Sequence, residues 1–188
     1  HLLATSLMLP FRPDIGWIGM VLVDEAARGR GIATRLLGNA IILARAEGLV
    51  PMLDATPAGR EVYAKLGFAE VAGITRWRGR GAAERANVTA ATAGHADMTA
   101  GHQADLVAFG GSRASMLADL ADRRDALLMR LPAGRGYLWS RAGRTATQIG
   151  PVLGTAPEDG LALCAAALDR IAGPVILDVP ARETAIAE

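Results

Sequence analysis

The residues of this sequence that are best suited to chemistry form a short loop of arginines and glycines. Residues 28–31 read Arg-Gly-Arg-Gly and lead directly into a run whose apolar residues recur at helical spacing. The first turn of a helix leaves backbone N–H groups without acceptors and carries the positive end of the helix dipole. Glycines let a ligand approach that backbone closely, and the two arginines add positive charge. The loop is therefore predicted to bind an anion, most often a phosphate group.

The spacing of the loop argues against the two commonest nucleotide-binding motifs. A P-loop has a lysine directly after its last glycine, and this chain has Ile32 at that position. The dinucleotide-binding motif has a third glycine three positions after the second, where this chain has Thr34. Both nucleotide interpretations are weakened.

Two regular elements must hold the loop in place. Before it, residues 20–23 form a short apolar run rich in β-branched side chains, which is typical of a buried strand. After it, apolar residues recur every three to four positions and polar side chains fall between them, until Gly48 supplies a stop. The pattern predicts a helix over residues 32–47, with the loop at its N-terminus.

Two motifs together indicate a family. Residues 28–33 match the pattern Arg/Gln-x-x-Gly-x-Gly/Ala, which resembles the acyl-CoA-binding loop of the GNAT N-acetyltransferases. Residues 56–68 resemble the segment Asn-x-x-Ala-x-x-x-Tyr-x-x-x-Gly-Phe of the same family, with Tyr63 at the tyrosine position. For the loop alone, an ordinary strand-loop-helix with a capping glycine is the alternative.

The resemblance implies an enzyme that transfers an acetyl group from acetyl-CoA to a primary amine of a small molecule or peptide, directly and without a metal. Backbone amides of Val21 and Val23 would pair with the pantetheine arm like an added strand, and the amides of residues 29–34 would hold the pyrophosphate. Tyr63 would be the general acid, with core packing as the alternative. The residues implied for acyl-CoA binding are Val21, Leu22, Val23, Arg28, Gly29, Arg30, Gly31, Ile32, Ala33, Thr34 and Thr56.

Overall composition narrows the class of protein. The chain has 188 residues, 51% of them hydrophobic, which is ample for a packed core. Since 20 Lys and Arg residues nearly balance 19 Asp and Glu residues, nucleic acid and anionic membranes are not expected partners. No apolar run is long enough to span a bilayer and no secretory signal opens the chain, so a cytoplasmic location is expected. The single cysteine, Cys164, is expected to be a buried structural thiol in a helix.

The order of elements repeats along the chain and predicts two tandem units. Residues 1–78 form the first unit, and the aperiodic Arg and Gly residues at 78–81 are expected to be a linker. Residues 79–188 resemble a second, degenerate GNAT-like domain. The predicted fold class is α/β (α+β), in which each unit has a mixed, largely antiparallel sheet flanked by helices. Relative to the family fold, the first strand and helices and a final helix and strand are missing, so a fragment is expected.

Several residues of the second unit bear on whether acyl-CoA or a metal ion binds there. The loop at 153–160 of the second unit carries Glu158 and Asp159 where an anion would sit, which argues against acyl-CoA there. His95 and His102 lie near Asp97, but glycines break the helix around them and no metal site is expected. A non-catalytic acyl-CoA-binding sensor or assembly module is the alternative to an enzyme. The acceptor, the general base and a homodimer are left open.

Overall fold

A computed structural model describes residues 1–82, 91–92 and 98–181 of the chain. Contacts divide the chain into two compact units, residues 1–70 with 110–112 and residues 71–109 with 113–188. Each unit has its own sheet. The prediction of two tandem units with mixed sheets and flanking helices is therefore confirmed.

The first unit is built on a three-stranded sheet in the order β1-β2-β3. The first pair of strands is antiparallel, and the second pair is parallel. Parallel neighbours need a crossover connection, and a helix provides it here. The elements are β1 (Ala4–Phe11), β2 (Ile15–Val23), a short 3₁₀ helix (Glu25–Ala27), α1 (Ile32–Ala46), β3 (Val50–Met52) and α2 (Pro57–Ala64).

Helix α1 packs against this sheet with one apolar face. Its buried residues recur at helical spacing, as the sequence predicted, and they form a cluster with Ile18 of β2. Helix and strand approach closely at Gly16, where a Cβ would lie 2.8 Å from the Cβ of Ala44. Tyr63 of α2 and Phe68 pack at the margin of the cluster. The packing thus fixes both ends of the predicted anion loop and the start of α2.

The second unit contains a six-stranded sheet in the order β4-β9-β8-β7-β6-β5. All neighbouring strands are antiparallel except β8 and β9, which are parallel and joined by a helix. The strands are β4 (Ile74–Ala82), β5 (Ala91–Thr92), β6 (Leu127–Arg130), β7 (Gly136–Ala142), β8 (Thr147–Gly154) and β9 (Ala172–Pro180). The helices are α3 (Thr99–Phe109), α4 (Ala114–Ala121) and α5 (Pro157–Leu168).

Both faces of the second sheet bury apolar residues. Successive residues of β7 point to opposite faces, so Leu138 joins the cluster that includes α5 while Trp139 joins the cluster on the α4 face. An ion pair links Asp105 of α3 to Arg113, the N-cap of α4, and in it Arg113 Nε donates to Asp105 Oδ2 at 2.9 Å. The pair compensates the burial of the Asp105 carboxylate, which is 1% exposed.

The sequence prediction of a linker at residues 78–81 was wrong. These residues belong to β4, which runs from Ile74 to Ala82 and pairs with β9 along its whole length. Nearly all of β4 is exposed, and an exposed edge strand needs no apolar periodicity. By contacts, the first compact unit runs to residue 70 and also takes in residues 110–112, and the second unit begins at residue 71.

His95 and Asp97, which the sequence analysis considered as metal ligands, lie outside the described residues. None of the helices in the described part of the chain is both long enough and apolar enough to cross a bilayer.

Candidate functional site

The predicted anion loop connects β2 to α1, and two of its glycines have left-handed backbone conformations. Gly29 has φ +74°, and Gly31, the N-cap of α1, has φ +72°. Other residue types adopt such angles at a cost of about 1 kcal/mol or more. A Cβ at either position would meet no atom within 4 Å. The two glycines are therefore required by the course of the backbone, and the space above them is open.

The backbone N–H groups of residues 29–34 have no acceptor among the described residues. The first hydrogen bond of α1 runs from the Arg35 N–H to the Gly31 carbonyl, so the three N–H groups of residues 32–34 have no intrahelical acceptor. The three N–H groups of residues 29–31 are also without a described partner, and no side chain caps the helix. Six consecutive donors thus surround the positive end of α1, an arrangement that suits a phosphate or pyrophosphate.

The segment before the loop is held by local contacts. The Asp24 carboxylate accepts a hydrogen bond from the Ala26 N–H at 2.9 Å and caps the 3₁₀ helix, while Ala27 is 1% exposed and anchors it. Arg28 Nε lies 3.4 Å from the Val23 carbonyl oxygen, to which it donates. Arg30 is exposed on the loop. Asp24 therefore positions the loop, and the two arginines lie on either side of Gly29.

Beyond Trp17, no described strand pairs with the edge of β2 that faces β3, and this part of β2 is called the open edge below. Strand β3 pairs only with residues 15–17, whereas β1 accompanies β2 on the other side as far as Val23. The Asp24 N–H bonds to Leu3 on the β1 side, so by alternation Val21 and Val23 turn their N–H and C=O groups toward the open edge. Leu22 faces β1 with its backbone. An extended ligand arm that carries amides can therefore pair with Val21 and Val23.

A β-bulge lies just before these residues, and the sequence did not predict it. Met20 has φ +53°, and the register between β1 and β2 shifts there. Thr5 Oγ1 donates to the Met20 carbonyl oxygen at 2.9 Å. A non-glycine residue in this conformation is strained by about 1–3 kcal/mol, which is typical of functional sites. The sequence could not indicate this backbone conformation, because methionine rarely adopts such angles.

Tyr63 lies on α2 with its ring directed back along the helix. The ring packs edge-to-face with Phe68, with 6.3 Å between ring centroids. A Cβ at Gly59 would lie 2.9 Å from Tyr63 Cε2, so the ring occupies space that only glycine leaves free. None of the described residues hydrogen-bonds the Tyr63 hydroxyl, which leaves the phenol available to a ligand.

Thr56 caps the N-terminus of helix α2. Its Oγ1 accepts a hydrogen bond from the Gly59 N–H at 3.2 Å and caps α2. The hydroxyl can still donate its proton. Thr56 is therefore compatible with both capping and the ligand contact expected from the sequence.

A cavity of about 510 Å³ opens beside the loop in the first unit. Arg30 and Arg35 give the cavity positive charge. Its lining residues include none from β2 or β3, so the cavity is distinct from the open edge of β2. It is lined by His1, Leu2, Leu3, Ala4, Arg30, Ile32, Arg35, Leu36 and Asn39.

The corresponding helix start in the second unit is filled by the chain itself. Helix α5 begins at Pro157, and the Asp159 side chain in its first turn is buried, with 3% exposure. Its carboxylate accepts from Thr155 Oγ1 at 2.8 Å and forms an ion pair with Arg135 at 3.2 Å. At Gly154 a Cβ would lie 2.9 Å from the Gly160 nitrogen. A negative charge and close packing thus occupy the place where the first unit offers free N–H groups.

Within the described ranges, no group of three or more His, Cys, Asp or Glu side chains is arranged to hold a metal ion. His102 stacks on Trp139, with 6.1 Å between ring centroids, and belongs to the packing of the second unit.

Comparison with known proteins gives two family matches. The Acetyltransferase (GNAT) family matches residues 3–68, and a further Acetyltransferase (GNAT) domain matches residues 102–188. A curated relative, named "Probable glucosamine 6-phosphate N-acetyltransferase 2" of Oryza sativa subsp. japonica, is 42% identical over 57 residues. That match spans 30% of this chain and 34% of the relative.

Solved structures share the fold. A crystal structure from Pyrococcus horikoshii covers 93% of this chain with a TM-score of 0.79 at 22% identity, and the match spans 59% of that chain. A tandem GNAT protein from the clavulanic acid biosynthesis pathway covers 98% of this chain with a TM-score of 0.54 at 16% identity, over 75% of its own length. At these identities the likeness shows the fold alone. Both family matches and the fold agree, and the chain belongs to the GNAT acetyltransferase family, of which it carries two domains in tandem.

Proposed function

We propose that the protein transfers an acetyl group from acetyl-CoA to a primary amine of a small molecule or peptide. The observation that carries this proposal is the row of six free backbone N–H groups from Gly29 to Thr34, directly beside the open edge of β2. A pyrophosphate suits the first feature, and an extended arm with amides suits the second. Acyl-CoA combines both groups in one molecule, whereas a simple nucleotide lacks the arm.

The residues of the first unit divide the binding between them. The amides of residues 29–34 would hold the pyrophosphate, with Arg28 and Arg30 adding charge at the rim. Val21 and Val23 would pair with the pantetheine arm through their backbones. Because most of these contacts come from the main chain, the site depends on backbone conformation more than on side-chain identity. Thr56 would donate its hydroxyl proton to the ligand.

Tyr63 is the proposed general acid. The acceptor nitrogen attacks the thioester carbonyl carbon, a C–N bond forms, the C–S bond breaks and the sulfur leaves with the electron pair. The phenol hydroxyl of a tyrosine can donate its proton to that sulfur as a general acid. The amine loses a proton to solvent or to a base, so the products are an amide and a free thiol.

The acceptor is identified only by class. A curated relative is named for a glucosamine 6-phosphate substrate, which makes an amino sugar phosphate a sensible member of a test panel. Simple alkylamines, amino acids and peptides with free N-termini complete the panel.

The test is release of CoA thiol from acetyl-CoA by the purified protein with each amine. Amine-dependent release that is lost in Gly31→Glu supports the enzyme. If the protein binds acetyl-CoA but releases no CoA thiol with any amine, the alternative function, a CoA-binding sensor or assembly module, is supported instead of the enzyme. Absence of binding would contradict both.

A further inference from the structure

The outermost strand of the second sheet, β4, has one edge without a described neighbour. It pairs with β9 from Ile74 to Ala82, and none of the other described strands lies on its outer side. Such an edge presents a row of unpaired N–H and C=O groups to any extended chain of suitable sequence.

The two faces of β4 differ sharply. Trp77 and Gly79, with Arg78 between them, line a small apolar cavity together with Leu168 of α5, and a Cβ at Gly81 would collide with the Ile171 carbonyl oxygen at 2.0 Å. The residues that alternate with these are three arginines, which therefore share the opposite face. They are Arg76, Arg78 and Arg80.

Two of the three arginines have no counter-charge among the residues that the structure describes. Arg76 makes a double hydrogen bond to Asp178 on the neighbouring strand, with both N–O distances 2.7 Å. Arg78 lies opposite Ile176 and Arg80 opposite Pro174, so β9 offers them no carboxylate. Both are exposed, and neither forms an ion pair with a described residue. The free edge of β4 is thus bordered by two positive charges that no described residue compensates.

We propose that β4 binds an extended acidic segment of another polypeptide as an added strand. The backbone of the segment would pair with the free edge, and carboxylates at alternate positions would lie over Arg78 and Arg80. Alternate residues of a strand repeat at about 6.6 Å, which is also the spacing of the two arginines along β4. The sequence had suggested a solvated linker here, and the strand conformation gives these charges their common face.

A second copy of the same strand is a poor occupant. Antiparallel self-pairing centred on Arg78 would place Arg78 opposite itself and Arg76 opposite Arg80. Like charges directly opposite each other destabilise a strand pair. The arginines therefore select against self-association and in favour of an acidic partner.

The test is calorimetric titration of the protein with a short peptide that alternates glutamate and valine. We expect binding that weakens as salt is raised, and little or no binding of the same peptide with lysine in place of glutamate. A third peptide keeps the glutamates but carries N-methyl groups on alternate amides. It should not bind, because strand addition needs the backbone donors.

The matched variants are Arg78→Glu with Arg80→Glu, and Arg144→Glu as a control at another exposed arginine of the second unit. The double variant should lose about tenfold or more in affinity for the acidic peptide and prefer the lysine peptide, while the control keeps the parental affinity. Unchanged melting temperatures show that both remain folded. Equal binding of acidic and basic peptides, binding of the N-methylated peptide, equal loss in the control or no binding at all would each overturn the proposal.

Discussion

At the scale of single residues, a substitution of Tyr63 distinguishes a catalytic role of this side chain from a packing role. We expect Tyr63→Phe to lower kcat by about 10²-fold or more, since general acid catalysis contributes roughly 10² to 10⁴-fold. CoA affinity should persist, because the phenylalanine ring retains the packing against Phe68. Steady-state kinetics paired with CoA titration checks both parts. An unchanged kcat would make Tyr63 a core residue, and loss of CoA binding would make its role structural.

Gly59→Ala provides a matched variant that tests the position of the Tyr63 ring. The new Cβ would displace the Tyr63 ring, whose Cε2 atom lies 2.9 Å from the ideal Cβ position. Helix α2 itself would gain about 0.5–1 kcal/mol from the alanine. We therefore expect a lower kcat without a lower melting temperature. A variant with parental kcat would show that the position of the ring is unimportant.

The place of the candidate loop, between β2 and α1, could be predicted from sequence. The left-handed conformations of Gly29 and Gly31 are visible only in the structure, because the motif indicated only that glycines let a ligand approach the backbone closely. Met20 could not be anticipated, because its strain arises from the register between β1 and β2 and leaves no mark on residue type. The capping bond of Thr56 follows the common preference of threonine before a helix, but its geometry is visible only in the structure.

At the scale of elements, the loop at the start of α1 should be more sensitive to backbone change than to loss of charge. We expect Gly31→Glu to abolish measurable CoA binding, because it adds bulk, negative charge and strain at φ +72°. Arg30→Ala should cost about 1 kcal/mol or less, as for an exposed ion pair. Calorimetric titration measures both.

A second glycine of the same helix supplies the control for this comparison. Gly38 lies within α1, and a Cβ there would meet no atom within 4 Å. Gly38→Ala should keep CoA affinity and raise stability by about 0.5–1 kcal/mol. If Gly31→Glu bound CoA as well as Gly38→Ala does, the loop would not be the site.

Helix α5 allows a prediction about pH. Burial raises the pKa of the Cys164 thiol from 9.0 to about 11. At pH 8 the native thiolate is roughly one in a thousand molecules, so a thiol reagent should label the folded protein slowly and the denatured protein fast. Between pH 9 and 11 the unfolded chain has released a proton that the folded chain retains, so stability should fall as pH rises. In denaturant titrations at several pH values, the free energy of unfolding of Cys164→Ala should not show this fall with pH. If it fell with pH as steeply as that of the parent protein, the prediction would be contradicted.

Elements with strong periodicity were predicted well, and those without it were not. Helix α1 follows from its apolar spacing and from the glycines at its ends, and the last residues of β2 follow from their short apolar run. Strand β4 was missed because its conformation depends on β9 rather than on its own sequence. Arg76 and Asp178, which join the two strands, are 102 residues apart in the chain. A local pattern cannot report such a pairing.

At the scale of the whole molecule, the two units differ in whether an anion can reach a helix N-terminus. Their repeated order of strands and helices was evident from the sequence, and so was the acidic loop of the second unit. The structure adds the reason why the acidic loop opposes a ligand. The Asp159 carboxylate lies buried in the first turn of α5 and is paired with Arg135 and Thr155. The first unit has no such carboxylate within its loop at residues 28–34.

The most direct measurement is therefore a calorimetric titration of the purified protein with acetyl-CoA, from which the number of molecules bound per chain is obtained. We expect one, bound by the loop of the first unit and lost in Gly31→Glu. Two equivalent sites per chain, or one site that persists unchanged in Gly31→Glu, would contradict the assignment of acyl-CoA binding to that loop.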